Sequence, residues 1–233
     1  MSLQIDRTTF FSYARNAPFG GSLSQARVDG LNAILDAWDR FFPNGDIRWL
    51  AYALATAYHE TGARMQPVRE TFASSDAAAV RALDRAYNRG QLTWVRTPYW
   101  DPDETGLSWF GRGLVQITHK ANYEKMRPLV MDAFGVDIVA EPSLTLRMDV
   151  AAFILLEGSL DGASNRADFT SDGLEDYFNA TADDPLGARR VINGTDKASL
   201  IASYHRCLLD SIQAAQGAFT RALRPGSRAE GSA

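Results

Sequence analysis

Ile47-Arg-Trp-Leu-Ala-Tyr-Ala-Leu-Ala-Thr-Ala-Tyr-His-Glu60-Thr-Gly62, running on to Arg69-Glu70-Thr71-Phe72, is the stretch whose reading decides the fold. No Gly or Pro interrupts it from Ile47 to Thr61. Leu50, Leu54 and Ala57 fall on one helical stripe, and Trp49, Ala53, Thr56 and Glu60 on the neighbouring one. The spacing predicts a largely buried helix with Asp46 as a candidate N-cap and Gly62 as a candidate C-cap. Glu60 then sits at the edge of an apolar helix. Burial disfavours the ionised form of a carboxyl group, and a proton donor working near neutral pH needs such a place. Glu70 supplies a second acid outside the helix. An ordinary helix-end carboxylate with an ordinary partner explains Glu60 equally well at this level.

Composition narrows the function classes. Among 233 residues, 45% are hydrophobic and 22% charged, with a net charge of −4. That balance fits a folded core and argues against a nucleic-acid or anionic-membrane partner, which would need a basic patch. No apolar run approaches the roughly 20 residues of a membrane span, so no integral membrane segment is expected. Met1-Ser-Leu-Gln-Ile-Asp-Arg7 lacks the charged-then-apolar pattern of a secretory signal, so synthesis in the cytoplasm without one is expected. Cys207 is the only cysteine, which excludes an internal disulfide. It falls in an apolar helical pattern and reads as a small core residue.

Metal and nucleophile chemistry find little support. His59-Glu60 begins like a zinc-protease pattern, but position 63 is Ala and only His119 and His205 remain. No cysteine cluster offers another zinc site. Gly111-Arg-Gly113 is too short for a dinucleotide loop. Neither a metal nor a cofactor is therefore expected. Carboxylates amid polar and aromatic groups remain, which is the inventory of glycoside hydrolysis.

The rest of the chain reads as mostly helical. Helices are expected over 4–16, from Ser22 or Ser24 through Trp38, over 76–90, 120–134, 143–158 and 197–216, with a helical stretch at Arg189-Arg190-Val191. Residues 92–109 read as an irregular loop, with room for a short hairpin. Trp94, Tyr99, Trp100 and Trp109 there either line a sugar groove or cover a small satellite core. Leu114-Val-Gln-Ile-Thr118 reads as a short strand, with Val115 and Ile117 on one face and Gln116 and Thr118 on the other. Residues 161–173 read as polar loop. A single domain over 1–224 and a disordered tail over 225–233 are expected.

Four strings together carry a resemblance: His59-Glu60-Thr61-Gly62, Arg69-Glu70, Phe110-Gly-Arg-Gly-Leu-Val-Gln-Ile-Thr-His-Lys-Ala-Asn-Tyr123 and Arg190-Val-Ile-Asn-Gly194. In this order they resemble glycoside hydrolase family 19, the lysozyme-like chitinases and their endolysin relatives, over roughly residues 45–215. The close spacing of the His-Glu-Thr and Arg-Glu strings is more similar to the endolysin branch.

The resemblance implies a mainly α, lysozyme-like domain with a small β-hairpin beside the substrate cleft. It implies Glu60 as general acid, Glu70 as the base that activates water, and Thr118 as the residue helping to hold that water. Gln116, Asn122 and Asn193 match sugar-contacting positions and Tyr123 a groove-lining one. His59 is placed with the substrate-binding residues or as an aid to the helix end. Arg112 reads mainly as structural.

The implied activity is inverting cleavage of a β-1,4-linked N-acetylhexosamine glycan. Bacterial peptidoglycan comes first, as for an endolysin-type muramidase of phage or prophage origin acting on the cell wall after release. Chitin oligosaccharides are the alternative. A non-catalytic glycan-binding module is the rival from another class. The partner is the polysaccharide, and a monomer is expected.

Inverting hydrolysis needs carboxyl groups roughly 6.5–9.5 Å apart. Ten residues of continuous helix would separate Glu60 and Glu70 by about 15 Å. The chain must therefore turn back between them, and Gly62 and Pro67 are the candidates for that turn. Should Glu70 lie elsewhere, Asp84, Asp101, Asp103 or Glu104 becomes the candidate base.

Overall fold

The computed structural model describes residues 5–160 and 169–222, with side chains through residue 217. The described chain is mainly α. Its helices are α1 (Arg7–Asn16), α2 (Gln25–Phe41), α3 (Ile47–Glu60), α4 (Asp76–Asn88), α5 (Lys120–Phe134), α6 (Met148–Ser159), α7 (Leu174–Tyr177), α8 (Arg190–Asn193) and α9 (Ala198–Ala222). Two strands, β1 (Val68–Arg69) and β2 (Arg112–Gly113), complete it. Residues 161–168 of the expected polar loop, and the tail expected over 225–233, lie outside the described residues.

Polar caps start four of these helices. Asp6, Ser24, Asp46 and Ser75 each accept a hydrogen bond from a first-turn amide, satisfying donors that helical bonding leaves open. Helix α3 is the axis of the packing. Every residue from Leu50 to Ala57 is buried, so the two stripes merge and the helix is enclosed all round. Alanines at 51, 53, 55 and 57 keep it slender. Helix α9 lies against it most extensively, with α6 and α2 also in contact, while α1 rests on α9. At the start of α3, Arg48 donates to the carbonyls of Ala182 (3.1 Å) and Asn179 (3.0 Å), and the Trp49 indole donates to that of Phe178 (2.8 Å). These bonds fasten the segment after α7 to the central helix.

The chain does reverse between Glu60 and Glu70, with Gly62 in the turn as expected and Pro67 outside it. Gly62, Ala63 and Met65 all adopt positive φ, and Pro67 only follows the turn. The buried Thr61 hydroxyl donates to the Ala57 carbonyl (2.7 Å) and accepts from the Met65 amide (3.0 Å), which locks it. The turn packs directly on α2 at Gly30. A Cβ there would lie 1.6 Å from the Met65 carbonyl oxygen.

The small antiparallel β element expected beside the cleft is present, but its strands come from distant segments. Strands β1 and β2 pair antiparallel, Val68 with Gly113 and Arg69 with Arg112, so distant segments meet rather than a local hairpin. The predicted strand over 114–118 is a tight turn. Arg112 and Ile117 exchange backbone hydrogen bonds of 3.2 and 2.9 Å, and Gln116 has φ +58. Val115 and Ile117 are buried as the alternation suggested, but turn geometry rather than a pleat puts them there. The helix expected over 143–158 is divided. Pro142–Leu146 forms a 3-10 turn, Arg147 is extended, and α6 begins at Met148.

A second small core gathers Ala79, Leu83, Trp100 and Phe110 beside α4. Trp100 is buried in this second core and Trp109 in the main one, so packing accounts for both. Trp94 is 73% exposed and is not part of either core. Cys207 is half-buried rather than enclosed.

Two outcomes follow from this packing. Gly30→Ala should lower stability by about 1–3 kcal/mol, because backbone rather than a flexible side chain blocks the new methyl; urea unfolding measures it. His205, on α9, is stacked on Phe178 with centroids 5.0 Å apart and lies 5.5 Å from the Tyr52 ring. Its Nε2 has no hydrogen-bond partner. Burial pushes its pKa down from 6.5 to about 4, with Asp183 and a hydrogen bond to the Arg48 backbone opposing and the Arg206 and Arg48 charges adding to the fall. The unfolded chain therefore binds the proton more tightly than the folded one. Stability should be undiminished above pH 6.5 and fall by roughly 3 kcal/mol as pH drops to about 4. His205→Phe should flatten that slope in unfolding curves across this range.

Candidate active site

Two adjoining clefts share one wall. The larger, about 560 Å³, is lined by Glu60, Trp94, Arg96, Tyr99, Gln116, Thr118, Asn122 and Asn193, among others. The smaller, about 290 Å³, is lined by Glu60, Val68, Arg69, Glu70, Thr71, Phe72, Gln116 and Thr118. Glu60, Gln116 and Thr118 thus stand where the clefts meet. The fold brings Glu60 and Glu70 into one cleft.

Glu60 ends α3, whose enclosed core portion fixes its position. Its carboxylate accepts a 3.0 Å hydrogen bond from Arg189, and the side chains are 19% and 2% exposed, respectively. Arg189 sits in a 3-10 turn, Gly187–Arg189, immediately before α8. Its Nε also donates to the Asp196 carbonyl (3.0 Å), which aims the guanidinium. His59, next in the chain, lines neither cleft and is half-buried. Burial pushes its pKa down, Glu60 pulls it up, and Arg189 lowers it further.

Glu70 is held on both oxygens. Oε1 accepts from the Tyr99 hydroxyl (2.6 Å) and Oε2 from the Gly111 amide (2.8 Å). The Glu70 amide in turn donates to the Gly111 carbonyl (2.7 Å). Burial first, and the Glu70 hydrogen bond second, push the Tyr99 hydroxyl well above the usual phenol range, so it stays a donor. Each carboxylate oxygen keeps a further lone pair for another donor.

Gly111 also explains how Gln116 and Thr118 approach this point. A Cβ at 111 would meet Gln116 Oε1 at 2.9 Å and Thr118 Oγ1 at 3.2 Å. Gln116 donates to the carbonyls of Val68 (3.0 Å) and Gly113 (3.1 Å), so it clamps β1 to the turn. Thr118 donates to the Gln116 carbonyl (2.8 Å), and Asn122 to that of Thr118 (2.8 Å). Asn193 is exposed at the end of α8.

Tyr123 is a correction. It is fully buried, donating to the Phe110 carbonyl (3.2 Å) and accepting from Arg112 (3.1 Å), so it cannot line a groove. Arg112 is buried with it, 3.6 Å over the Phe110 ring and 2.8 Å from Asp76. Asp76 also accepts from Arg69 (2.6 Å), joining both strands to α4. Burial pushes the Asp76 carboxyl up, but bonds from Arg69 and Arg112 hold it below the usual range.

The alternative acids are placed elsewhere. Asp84 binds the Trp100 indole (2.8 Å). Asp103 organises its own loop through Thr105, Trp109 and Lys120. Glu104 faces Lys120 at 3.7 Å, and Asp101 is exposed. None of the four lines either cleft around Glu60. Among the described residues, no group of three His, Cys, Asp or Glu side chains is placed to hold a metal ion, and no helix is long and apolar enough to cross a membrane.

Sequence reasoning did not single out Arg189 or assign Tyr99 a partner. Arg189 carried one signal, a charged residue in a short helical stretch. Tyr99 carried only its place in an aromatic loop.

No family model matches the chain, and no curated protein matches it. Among solved structures, a chitinase C mutant is 16% identical with a TM-score of 0.44, over 91% of this chain and 76% of that one. A bacterial family 19 chitinase is 18% identical with a TM-score of 0.37, over 88% of this chain and 94% of that one.

Arg189→Ala should destabilise the protein by about 3 kcal/mol, since it leaves Glu60 without its counter-ion in a largely enclosed place. Glu60→Gln, which keeps an acceptor for Arg189, should cost clearly less. Thermal unfolding of both variants checks the order.

Proposed function

We propose that this chain is an inverting glycoside hydrolase that cleaves β-1,4-linked N-acetylhexosamine glycan, with bacterial peptidoglycan as its substrate, in the manner of an endolysin-type muramidase. The observation that carries this reading is the shared cleft. Glu60 and Glu70 arrive from opposite sides of a chain reversal and line one cleft together with Gln116 and Thr118. The four-string resemblance to the family 19 hydrolases assigns the acid and base roles to these same two glutamates.

The chemistry divides between them. Glu60 protonates the leaving oxygen while Arg189 fixes its carboxyl in place. Glu70, oriented by Tyr99 and the Gly111 amide, takes a proton from the attacking water. Thr118, at the junction of the clefts, helps hold that water. The water attacks opposite the leaving group, so the new hydroxyl has the inverted configuration. Gln116, Asn122 and Asn193 offer hydrogen bonds to the acetamido sugars, and the exposed Trp94 offers an apolar face. No step requires a cofactor. The protein acts as a monomer on the cell-wall polysaccharide.

Glu60→Gln and Glu70→Gln should each lower the rate of glycan release by about a hundredfold or more with little change in folding. Full activity in Glu60→Gln would remove the mechanism. The first-formed product should be the α-anomer by NMR; a β-anomer would mean retention. Soluble fragments from purified peptidoglycan but not from chitin oligosaccharides support the named substrate, and the reverse result assigns the same chemistry to chitin.

A further inference from the structure

The segment just after Glu70 is costly and gains little packing in return. Thr71 has φ +60 and Phe72 φ +56, both in the left-handed region that β-branched and bulky residues avoid. Such conformations cost on the order of 1–3 kcal/mol each and persist where the surroundings impose them, chiefly at functional sites. Burial does not explain them, since Phe72 is 51% exposed and belongs to neither hydrophobic core. The backbone holds a large aromatic ring in water at the border of the smaller cleft.

Its surroundings fix the ring rather than hide it. The Arg64 guanidinium lies 4.2 Å from its centroid, a cation–π contact. Arg64 also donates to the Thr61 carbonyl (3.2 Å) at the end of α3. The ring leans on Gly62, where a Cβ would come within 3.4 Å of its tip. Phe72 is thus braced against the turn that follows Glu60. It also lines the cleft with Glu60, Glu70, Gln116 and Thr118.

We infer that Phe72, held out by the strained Thr71-Phe72 pair, is a substrate-contacting residue that stacks on a sugar ring on the Glu70 side of the cleft. The inference rests on the glycan reading of the site and adds a binding residue to it. A pyranose has an apolar face of C–H groups, and a fixed aromatic plane covers it at little entropic cost because the ring is already placed. Trp94 lines the larger cleft and Phe72 the smaller, so a bound chain would meet an exposed aromatic on each side of Glu60.

The test uses the full chain carrying Glu60→Gln, so that bound sugar is not cut, and titrates by calorimetry soluble peptidoglycan fragments and, separately, a soluble β-1,4-linked N-acetylglucosamine hexamer, the variants being read on whichever the parent binds. Adding Phe72→Ala should weaken binding about fivefold or more, and Phe72→Trp should stay within about twofold of the parent. Phe72→Gly should weaken binding in the same way while raising Tm, because glycine adopts the left-handed conformation freely. A merely structural Phe72 would instead lose Tm on truncation with affinity unchanged, and that result overturns the inference. Unchanged affinity in Phe72→Ala overturns it too, while leaving the acid and base assignments standing. If the parent binds neither this hexamer nor soluble peptidoglycan fragments, and the unsubstituted chain cleaves neither polymer, the glycan reading falls and the Phe72 role falls with it.

Discussion

The ion pair between Glu60 and Arg189 joins the end of α3 to the turn before α8 at the point where chemistry is proposed. It works because α3 is enclosed on all sides through Ala57, so the last residue of that helix has little freedom. Arg189 reaches it from the far end of the chain, through a 3-10 turn whose Gly187 amide is held by Asp184 (2.8 Å). A buried arginine without a partner would cost several kcal/mol. The packing of the turn at 187–189 and the ending of α3 are therefore mutually dependent.

The opposite wall obeys a different constraint, which is close backbone approach. Gly111 has no side chain because Gln116 and Thr118 occupy the space a Cβ would fill. That lets the Gly111 amide face Glu70 and lets the turn after β2 fold back tightly. Gln116 spends its amide hydrogens on Val68 and Gly113. It is thus a clamp between β1 and the turn as well as a wall of the cleft. The strands are only two residues each, yet they lead Glu70 into the cleft that Glu60 lines. Beneath them, Asp76 ties Arg69 and Arg112 to the start of α4.

Several sequence readings failed for one common reason. Alternation at 114–118 reads the same whether a pleat or a tight turn buries Val115 and Ile117. Tyr123 falls within a string of cleft residues, but its position on α5 turns it inward to Phe110 and Arg112. Four loop aromatics looked alike, and only packing separates the buried Trp100 and Trp109 from the exposed Trp94 and the Tyr99 that binds Glu70. Pattern reports a side chain's periodicity, whereas its surroundings depend on contacts far along the chain.

The sequence by itself determined the helical character, the cap at Asp46, a serine cap for α2 at Ser22 or Ser24, the buried course of α3 and the placement of Glu60 at its end. These follow from local spacing and from backbone donors that must be satisfied nearby. Only the tertiary structure decided that Arg189 pairs with Glu60, that Tyr99 and Gly111 hold Glu70, and that Phe72 stands exposed beside both. Each of those contacts joins residues with no shared local pattern, so their energies arise only once the helices have packed.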